Sequence, residues 1–413
     1  LKSSKTLAPF LLASLCFFAF SSYPAPVAAT EIAPADAELE KNPATKPTDF
    51  TLVEAHPSIS PRAFEGSDGV TNLVYELILT NFNTKPITVE NIEITNANDG
   101  KVLLTLTTEQ LKSVMKSPAV KKQKGKMTPG AISIVFVNIT LDKDATVPSM
   151  LVHKITYSGT IIEKRQTKTT NLAVDVDKTA PLVIGSPLVG KKWLATGGYS
   201  SASGHRRSLF PVNNELKSAQ RFALDWVQLN DENRLFSGNG KENTQFVGYG
   251  KPVLAVGDGT IYGVVNKFED QPPFKASGSM TYPGGNTITL KLSDKAYAMY
   301  AHLKPGSIKV KEGDTVKKGQ VIAEVGNVGN SDAPHLHLHI TESPAILESN
   351  GVPYVFEQFD VAGAIDIVYM ERNFQKPGSL PTVKVERPGV HKFQLVKEGL
   401  LIDFPELKVQ EAR

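Results

Sequence analysis

Between positions 49 and 177 the apolar residues fall in short runs rich in β-branched side chains. Leu73–Leu79, Ile87–Glu90, Ile92–Ile94, Val102–Leu106, Ile132–Leu141 and Met150–Tyr157 have the length and composition of strands, and Gly, Asn, Asp and Pro separate them. One short helix is predicted over Glu109–Lys116, where Thr107 and Gln110 have the spacing of a capping box. The pattern predicts an antiparallel β-sandwich over 49–177. Several Pro and Gly residues from Lys178 to Gly198 mark the passage to a second domain. Strand signals then recur at Phe222–Leu229, Pro252–Ala255, Thr260–Val265, Thr287–Leu292, Ala296–Tyr300, Val321–Val325 and His335–Ile340. These strands are too short, and the turns too frequent, for an α/β fold, so the whole chain reads as all-β. The second domain is expected over 178–371. Residues 372–413 are expected to be a C-terminal tail with two strands, Thr382–Val385 and Lys392–Val396.

The pattern differs at the N-terminus. Lys2 and Lys5 precede the apolar run Leu7–Phe20, and small residues end at Val27-Ala28-Ala29. A basic start, a short apolar stretch and small residues at −3 and −1 predict a secretory signal peptide over 1–29. The apolar run is too short to span a bilayer comfortably, and no stable membrane span is expected after cleavage. Residues 30–48, with Pro34, Pro43 and Pro47 and no apolar periodicity, read as a linker. The expected location is secreted or periplasmic, in the cell envelope. The sole cysteine, Cys16, lies inside the signal. The exported chain would then have no disulfides, and any metal would be held by His and carboxylates.

Composition narrows the function classes. In 413 residues, 41% are hydrophobic and 21% charged, which excludes a wholly disordered or collagen-like chain. The formal net charge of +3 gives no general electrostatic case for nucleic-acid binding. Lys121-Lys122-Gln123-Lys124-Gly125-Lys126 is a local basic run and reads as a solvated loop. The sandwich region shows no cluster of His, Cys or acids that points to chemistry, so its expected role is a spacer or binding module.

Candidate chemistry concentrates in the second domain, which holds five of the 8 histidines: His205, His302, His335, His337 and His339. Three lie in Pro334-His-Leu-His-Leu-His339. Alternate side chains on a strand share a face, about 7 Å apart, so His335, His337 and His339 would project together. Leu336, Leu338 and Ile340 would then fill the opposite, buried face. Three alternating histidines are harder to explain by packing than one, and they point to metal or catalytic use. Asp225 lies in the apolar strand Arg221-Phe-Ala-Leu-Asp-Trp-Val-Gln-Leu229. A carboxylate there is costly to desolvate unless it is paired or bound to a metal. Arg221, four residues earlier on the same face, is the alternative partner. His302 ends the strand Tyr297-Ala-Met-Tyr-Ala-His302.

These residues carry a resemblance. Tyr300-Ala-His302-Leu303, the stretch Val310–Gly326, Gly329-Asn-Ser331 and Pro334-His-Leu-His337 are together similar to the core of lysostaphin-type (LytM-like) zinc metallopeptidases, and Lys251–Ile261 is similar to the strand–turn–strand before that core. The resemblance runs from about Gly204 to Ile340. It implies a compact antiparallel sheet with a groove, the duplicated hybrid motif, and endopeptidase cleavage of peptidoglycan cross-links or bridges. The implied partner is a peptidoglycan peptide or another exported peptide. By the same resemblance His337 and Asp225 are metal ligands for Zn, and His335 and His302 are the two non-ligand histidines that handle protons and steady the tetrahedral intermediate. The chemistry agrees: zinc with three N/O ligands and an open position lowers the pKa of a bound water to about 7 and polarises a carbonyl.

One position departs from the family. The family places a His four residues before the aspartate, where this chain has Arg221, which stays protonated and cannot ligate zinc. Either another residue completes the site or the metal has been lost. His205, in Ser203-Gly-His-Arg-Arg207, is the favoured third ligand, and His339 is the other candidate. The competing function is a non-catalytic domain of the same fold that binds or activates another cell-wall hydrolase. A lipoyl or biotin carrier is disfavoured, because Lys295 precedes the Gly313-Asp314 turn where a carrier's lysine hairpin would follow it.

Overall fold

The structure is a computed structural model that describes residues 51–118, 125–142, 145–276, 278, 281–345 and 347–406. The signal and linker expected over 1–48, and Lys121–Lys124 of the basic loop, lie outside the described residues.

The first domain is built from β1 (Val53–Pro57), β2 (Ala63–Glu65), β3 (Thr71–Asn81), β4 (Ile87–Asn96), β5 (Val102–Thr107), β6 (Met115–Lys116), β7 (Lys126–Met127), β8 (Ile132–Leu141), β9 (Met150–Ile161) and β10 (Lys164–Asp175). One sheet runs β1-β3-β8-β6 with β2 also on β3, and the other runs β10-β9-β4-β5 with β7 on β4. Period-2 alternation makes the sandwich. Leu73, Tyr75, Leu77 and Leu79 of β3 and Val135, Val137 and Ile139 of β8 share one core with Ile92 and Ile94 of β4 and Leu151, Ile155 and Tyr157 of β9. The helix Thr108–Val114 begins at the expected capping box, with Thr107 and Gln110 each bonded to the other's backbone N–H. It stops before Lys116 because Met115 and Lys116 pair with β8 instead.

β3 is buried on both faces. Its second row, Val74, Glu76 and Ile78, faces away from the sandwich core. Val74 joins the core of the second domain with Phe222 and Tyr199. A carboxylate at the centre of a doubly buried strand needs partners of high complementarity, and Glu76 finds them in the other domain.

The second domain continues with β11 (Leu182–Ile184), β12 (Gly190–Gly197), β13 (Phe210–Val212), β14 (Glu215–Lys217), β15 (Leu224–Gln228), β16 (Pro252–Leu254), β17 (Gly259–Val265), β18 (Thr287–Ser293), β19 (Ala296–Ala301), β20 (Thr315–Val316), β21 (Val321–Glu324), β22 (Leu336–Thr341), β23 (Tyr354–Phe356), β24 (Phe359–Ala364), β25 (Gly389–His391) and β26 (Leu400–Phe404). Its main sheet has ten strands in the order β20-β17-β18-β19-β22-β15-β12-β26-β24-β25. The residues beyond 371 are not a trailing tail. β26 lies between β12 and β24, and its Leu401, Ile402 and Phe404 are buried. The strands expected at Thr382–Val385 and Lys392–Val396 form instead at Gly389–His391 and Leu400–Phe404. The run Leu400-Leu-Ile-Asp-Phe404 offers more apolar area to bury than Thr382–Val385, whose Val383 stays exposed. The described residues from Thr51 onwards form one compact unit.

Candidate metal centre and catalytic pocket

Three adjacent strands, β19, β22 and β15, bring the polar residues together. Their register aligns Ala301 with His337, and His337 with Asp225. Asp225 and His337 are therefore a directly opposed cross-strand pair. Leu224 and Trp226 point into the core and leave Asp225 on the other face. Leu336, Leu338 and Ile340 likewise fill the core, as their alternation predicts, and turn His337 and His339 to the side of Asp225.

His205 comes from the turn that follows β12, not from a strand. Its Nε2 lies 3.2 Å from Asp225 Oδ2, while His337 Nδ1 lies 2.7 Å from Asp225 Oδ1. Donor atoms of His205, Asp225 and His337 all lie within 4.8 Å of one another. Gly197, at φ +83°, makes room for the imidazole: a Cβ there would sit 2.3 Å from His205 Nδ1.

His302 follows β19 with a left-handed φ of 62°, a conformation uncommon for a side chain larger than glycine. Its Nδ1–H donates to Val328 O at 2.7 Å. His335 precedes β22, and its Nδ1–H donates to Ala333 O at 2.7 Å. Both rings in their neutral form thus present a bare Nε2. The rings of His302 and His335 are 4.6 Å apart, and His335 Nε2 is 3.5 Å from Asp225 Oδ1. His339 stands behind His337, with its Nδ1 2.7 Å from His337 Nε2, the nitrogen that faces away from Asp225. The cavity above these residues has a volume of about 340 Å³, and its lining includes His205, Asp225, His302, His335, His337 and His339.

The electrostatics centre on Asp225. Burial opposes its charge, but His205, His335 and His337 outweigh burial and hold its carboxyl well below the usual range. Burial also disfavours the imidazolium of His205 and His335, yet the facing carboxylate raises both. His302 has only a weaker share of that field. Burial, with repulsion from His335 and His337, keeps it well below its ordinary value and therefore neutral. The oxyanion-donor role expected of His302 requires its Nε2 to gain a proton during the reaction.

Two imidazole nitrogens and one carboxylate oxygen suit zinc, and tetrahedral donors about 2.0–2.2 Å from it lie roughly 3.3 Å apart. His205 Nε2 meets Asp225 Oδ2 at 3.2 Å and His337 Nδ1 meets Oδ1 at 2.7 Å, and one donor atom from each of the three residues lies within 4.8 Å of the others, so holding one ion draws the set inwards while the cavity side stays open. The residues fit.

Arg221 does not pair with Asp225. It is fully buried and turned towards the sandwich, where Nε and Nη2 donate to Glu76 Oε2 at 2.9 and 2.6 Å. Position 221 is thus a residue of the domain interface, and the place beside Asp225 is taken by His205.

Comparison with known proteins bears on the same domain. Residues 244–351 match peptidase family M23. That segment of the second domain is therefore similar to the lysostaphin-like M23 type, as the motifs around His302 and His337 indicate. The matched segment contains His302, His335, His337 and His339 and begins after His205 and Asp225. Glycyl-glycine endopeptidase ALE-1 of Staphylococcus capitis is 38% identical over 99 residues, which cover 22% of this chain and 27% of that protein. Lysostaphin of Staphylococcus staphylolyticus is 39% identical over 99 residues, which cover 22% and 20%. The chain thus spans about a quarter or less of the curated relatives it matches. Among solved structures, the catalytic domain of the antimicrobial peptidase lysostaphin from Staphylococcus simulans is similar over 41% of this chain and 86% of that chain, at 23% identity and TM-score 0.21.

Sequence reasoning missed three participants near the M23 pocket. Ser331 Oγ lies 3.2 Å from His335 Nδ1 and donates to Asn327 Oδ1 at 2.7 Å, so it braces the ring. Its signal was its place in the Gly329-Asn-Ser331 motif. Glu76 and Arg206 were also missed. Glu76 is a lone acid in an apolar strand, the same signal that marked Asp225.

Proposed function

We propose that the chain is an exported zinc metalloendopeptidase that hydrolyses peptide bonds, in peptidoglycan cross-links. The observation that carries this reading is the convergence of His205, Asp225 and His337 at the floor of a cavity whose lining also includes His302 and His335. His205 Nε2, an Asp225 oxygen and His337 Nδ1 would hold the ion. When bound, zinc supplies an acidified water and Lewis-acid polarisation of the scissile carbonyl. His335 takes the water's proton at Nε2, the nitrogen left free by its bond to Ala333 O. The proton then passes to the leaving amine. His302, fixed by Val328 O, lies beside His335 and would stabilise the carbonyl oxygen by donating from Nε2 a proton taken up from solvent and returned there as the product leaves. His339 keeps the His337 ring oriented. Export, read from residues 1–29, would bring the enzyme to its wall substrate.

The non-catalytic reading drew its support from Arg221. That residue is engaged by Glu76, and its guanidinium leaves the Asp225 carboxylate to the histidines. The test is digestion of purified peptidoglycan with fragments separated by mass. The peptidase reading expects newly freed amino groups that a chelator abolishes. New reducing sugar ends without new amines would contradict it, as would no release together with stimulation of an added wall hydrolase.

A further inference from the structure

The replacement ligand, His205, sits on a turn, and a turn alone does not fix a side chain to the tolerance a metal site requires. The next residue supplies the anchor. Arg206 is fully buried, and its guanidinium crosses into the sandwich. Nε donates to Glu76 Oε1 at 2.9 Å. Nη2 donates to Tyr75 O at 2.7 Å and Val137 O at 2.8 Å, and Nη1 to Tyr199 O at 3.1 Å. The other Glu76 oxygen receives Arg221 and the hydroxyl of Ser58, which donates at 2.9 Å. One carboxylate on β3 therefore clamps two arginines: one adjoins His205, and the other lies four residues before Asp225.

From this geometry we infer that Glu76 is a positioning residue for the metal centre, so that the sandwich is a working part of the site and not a spacer. Glu76 acts through Arg206 to seat the turn bearing His205 against Asp225. Through Arg221 it holds the bulky cation at the i−4 position away from Asp225. Arg206 gives the clamp its specificity: its planar fork meets a carboxylate and three carbonyls at once, which a lysine cannot do. The buried charge is fixed, because flanking guanidiniums keep Glu76 ionised against the cost of burial.

The inference rests on the reading of His205 as a ligand, and the experiment separates the two. Zinc affinity of the full chain is measured by competition with a chromophoric chelator, and the ligand set by cobalt(II) absorption, for wild type, Glu76→Gln, Glu76→Asp, His205→Ala and Glu76→Gln/His205→Ala. Glu76→Gln is expected to weaken zinc binding about 10–100-fold, the range typical of groups that orient ligands, and to shift the cobalt spectrum towards that of His205→Ala. Glu76→Gln should add little in the His205→Ala background. Glu76→Asp, which keeps the charge but withdraws it by one methylene, should fall between wild type and Glu76→Gln, and it decides the matter if Glu76→Gln does not fold. Wild-type affinity in folded Glu76 variants, or full additivity in the double variant, overturns the inference while leaving the zinc reading intact. A wild-type chain without zinc affinity, or His205→Ala with undiminished affinity, overturns the zinc reading and the inference with it.

Discussion

Arg221 Nη2 donates to Glu76 Oε2 at 2.6 Å, with both side chains fully buried, so the residue four positions before Asp225 belongs to the interface between the two domains. This pairing keeps the Arg221 cation away from the Asp225 carboxylate, although the two residues stand four positions apart.

A histidine at position 221 should therefore gain nothing. Arg221→His is expected to leave zinc content unchanged, because His205 already occupies the side of Asp225. It should also destabilise the fold by about 3 kcal/mol, the order expected when one partner of a buried ion pair is removed. Metal analysis and denaturant unfolding check both halves. Raised zinc content in Arg221→His would show that the wild-type site is incomplete.

Acid should reveal the same clamp. The arginines lower the Glu76 carboxyl from its ordinary 4.5 to about 2, against the opposing effect of burial. A depressed carboxyl contributes stability that is present above the unfolded value and is lost as pH falls through the folded one. The window thus runs from about pH 4.5 to pH 2, and the contribution at neutral pH is about 3 kcal/mol. Denaturant unfolding of wild type and Glu76→Gln across this range should show the difference shrinking as pH falls. A difference that does not change with pH would remove Glu76 as a charged partner.

The two non-ligand histidines should separate binding from turnover. His335→Ala and His302→Ala are expected to keep zinc and to lose about 10²–10⁴-fold in hydrolysis. Kinetics on wall peptides with parallel metal analysis decide this. Loss of metal on His335→Ala would overturn the assignment of His335 and His337, and a near-normal rate would remove His335 from the mechanism.

How far these features were legible follows from their physics. Period-2 alternation is local, so both all-β domains could be read, as could the histidine face of β22 set against Leu336, Leu338 and Ile340. Asp225 stood out because an acid in an apolar strand is costly. Glu76 carried the same mark, but its arginine partners lie more than a hundred residues away, and sequence spacing gives no distance across a domain interface. Arg221 shares a face with Asp225 at i−4, which makes the two look like partners in sequence, but tertiary packing gives Arg221 to Glu76 instead. The C-terminal strands shifted for a similar reason: the place between β12 and β24 selects the apolar run Leu400–Phe404, a choice that no local window contains.

His205, Asp225 and His337 are proposed to hold one zinc. Zinc stoichiometry of the purified full chain, measured by mass spectrometry alongside His205→Ala and His339→Ala, tests it most directly. The account predicts about one zinc per chain in wild type, loss in His205→Ala, and retention in His339→Ala, because His339 stands behind His337 and away from Asp225. Full zinc in His205→Ala with loss in His339→Ala would contradict it and assign two ligands to the strand triplet.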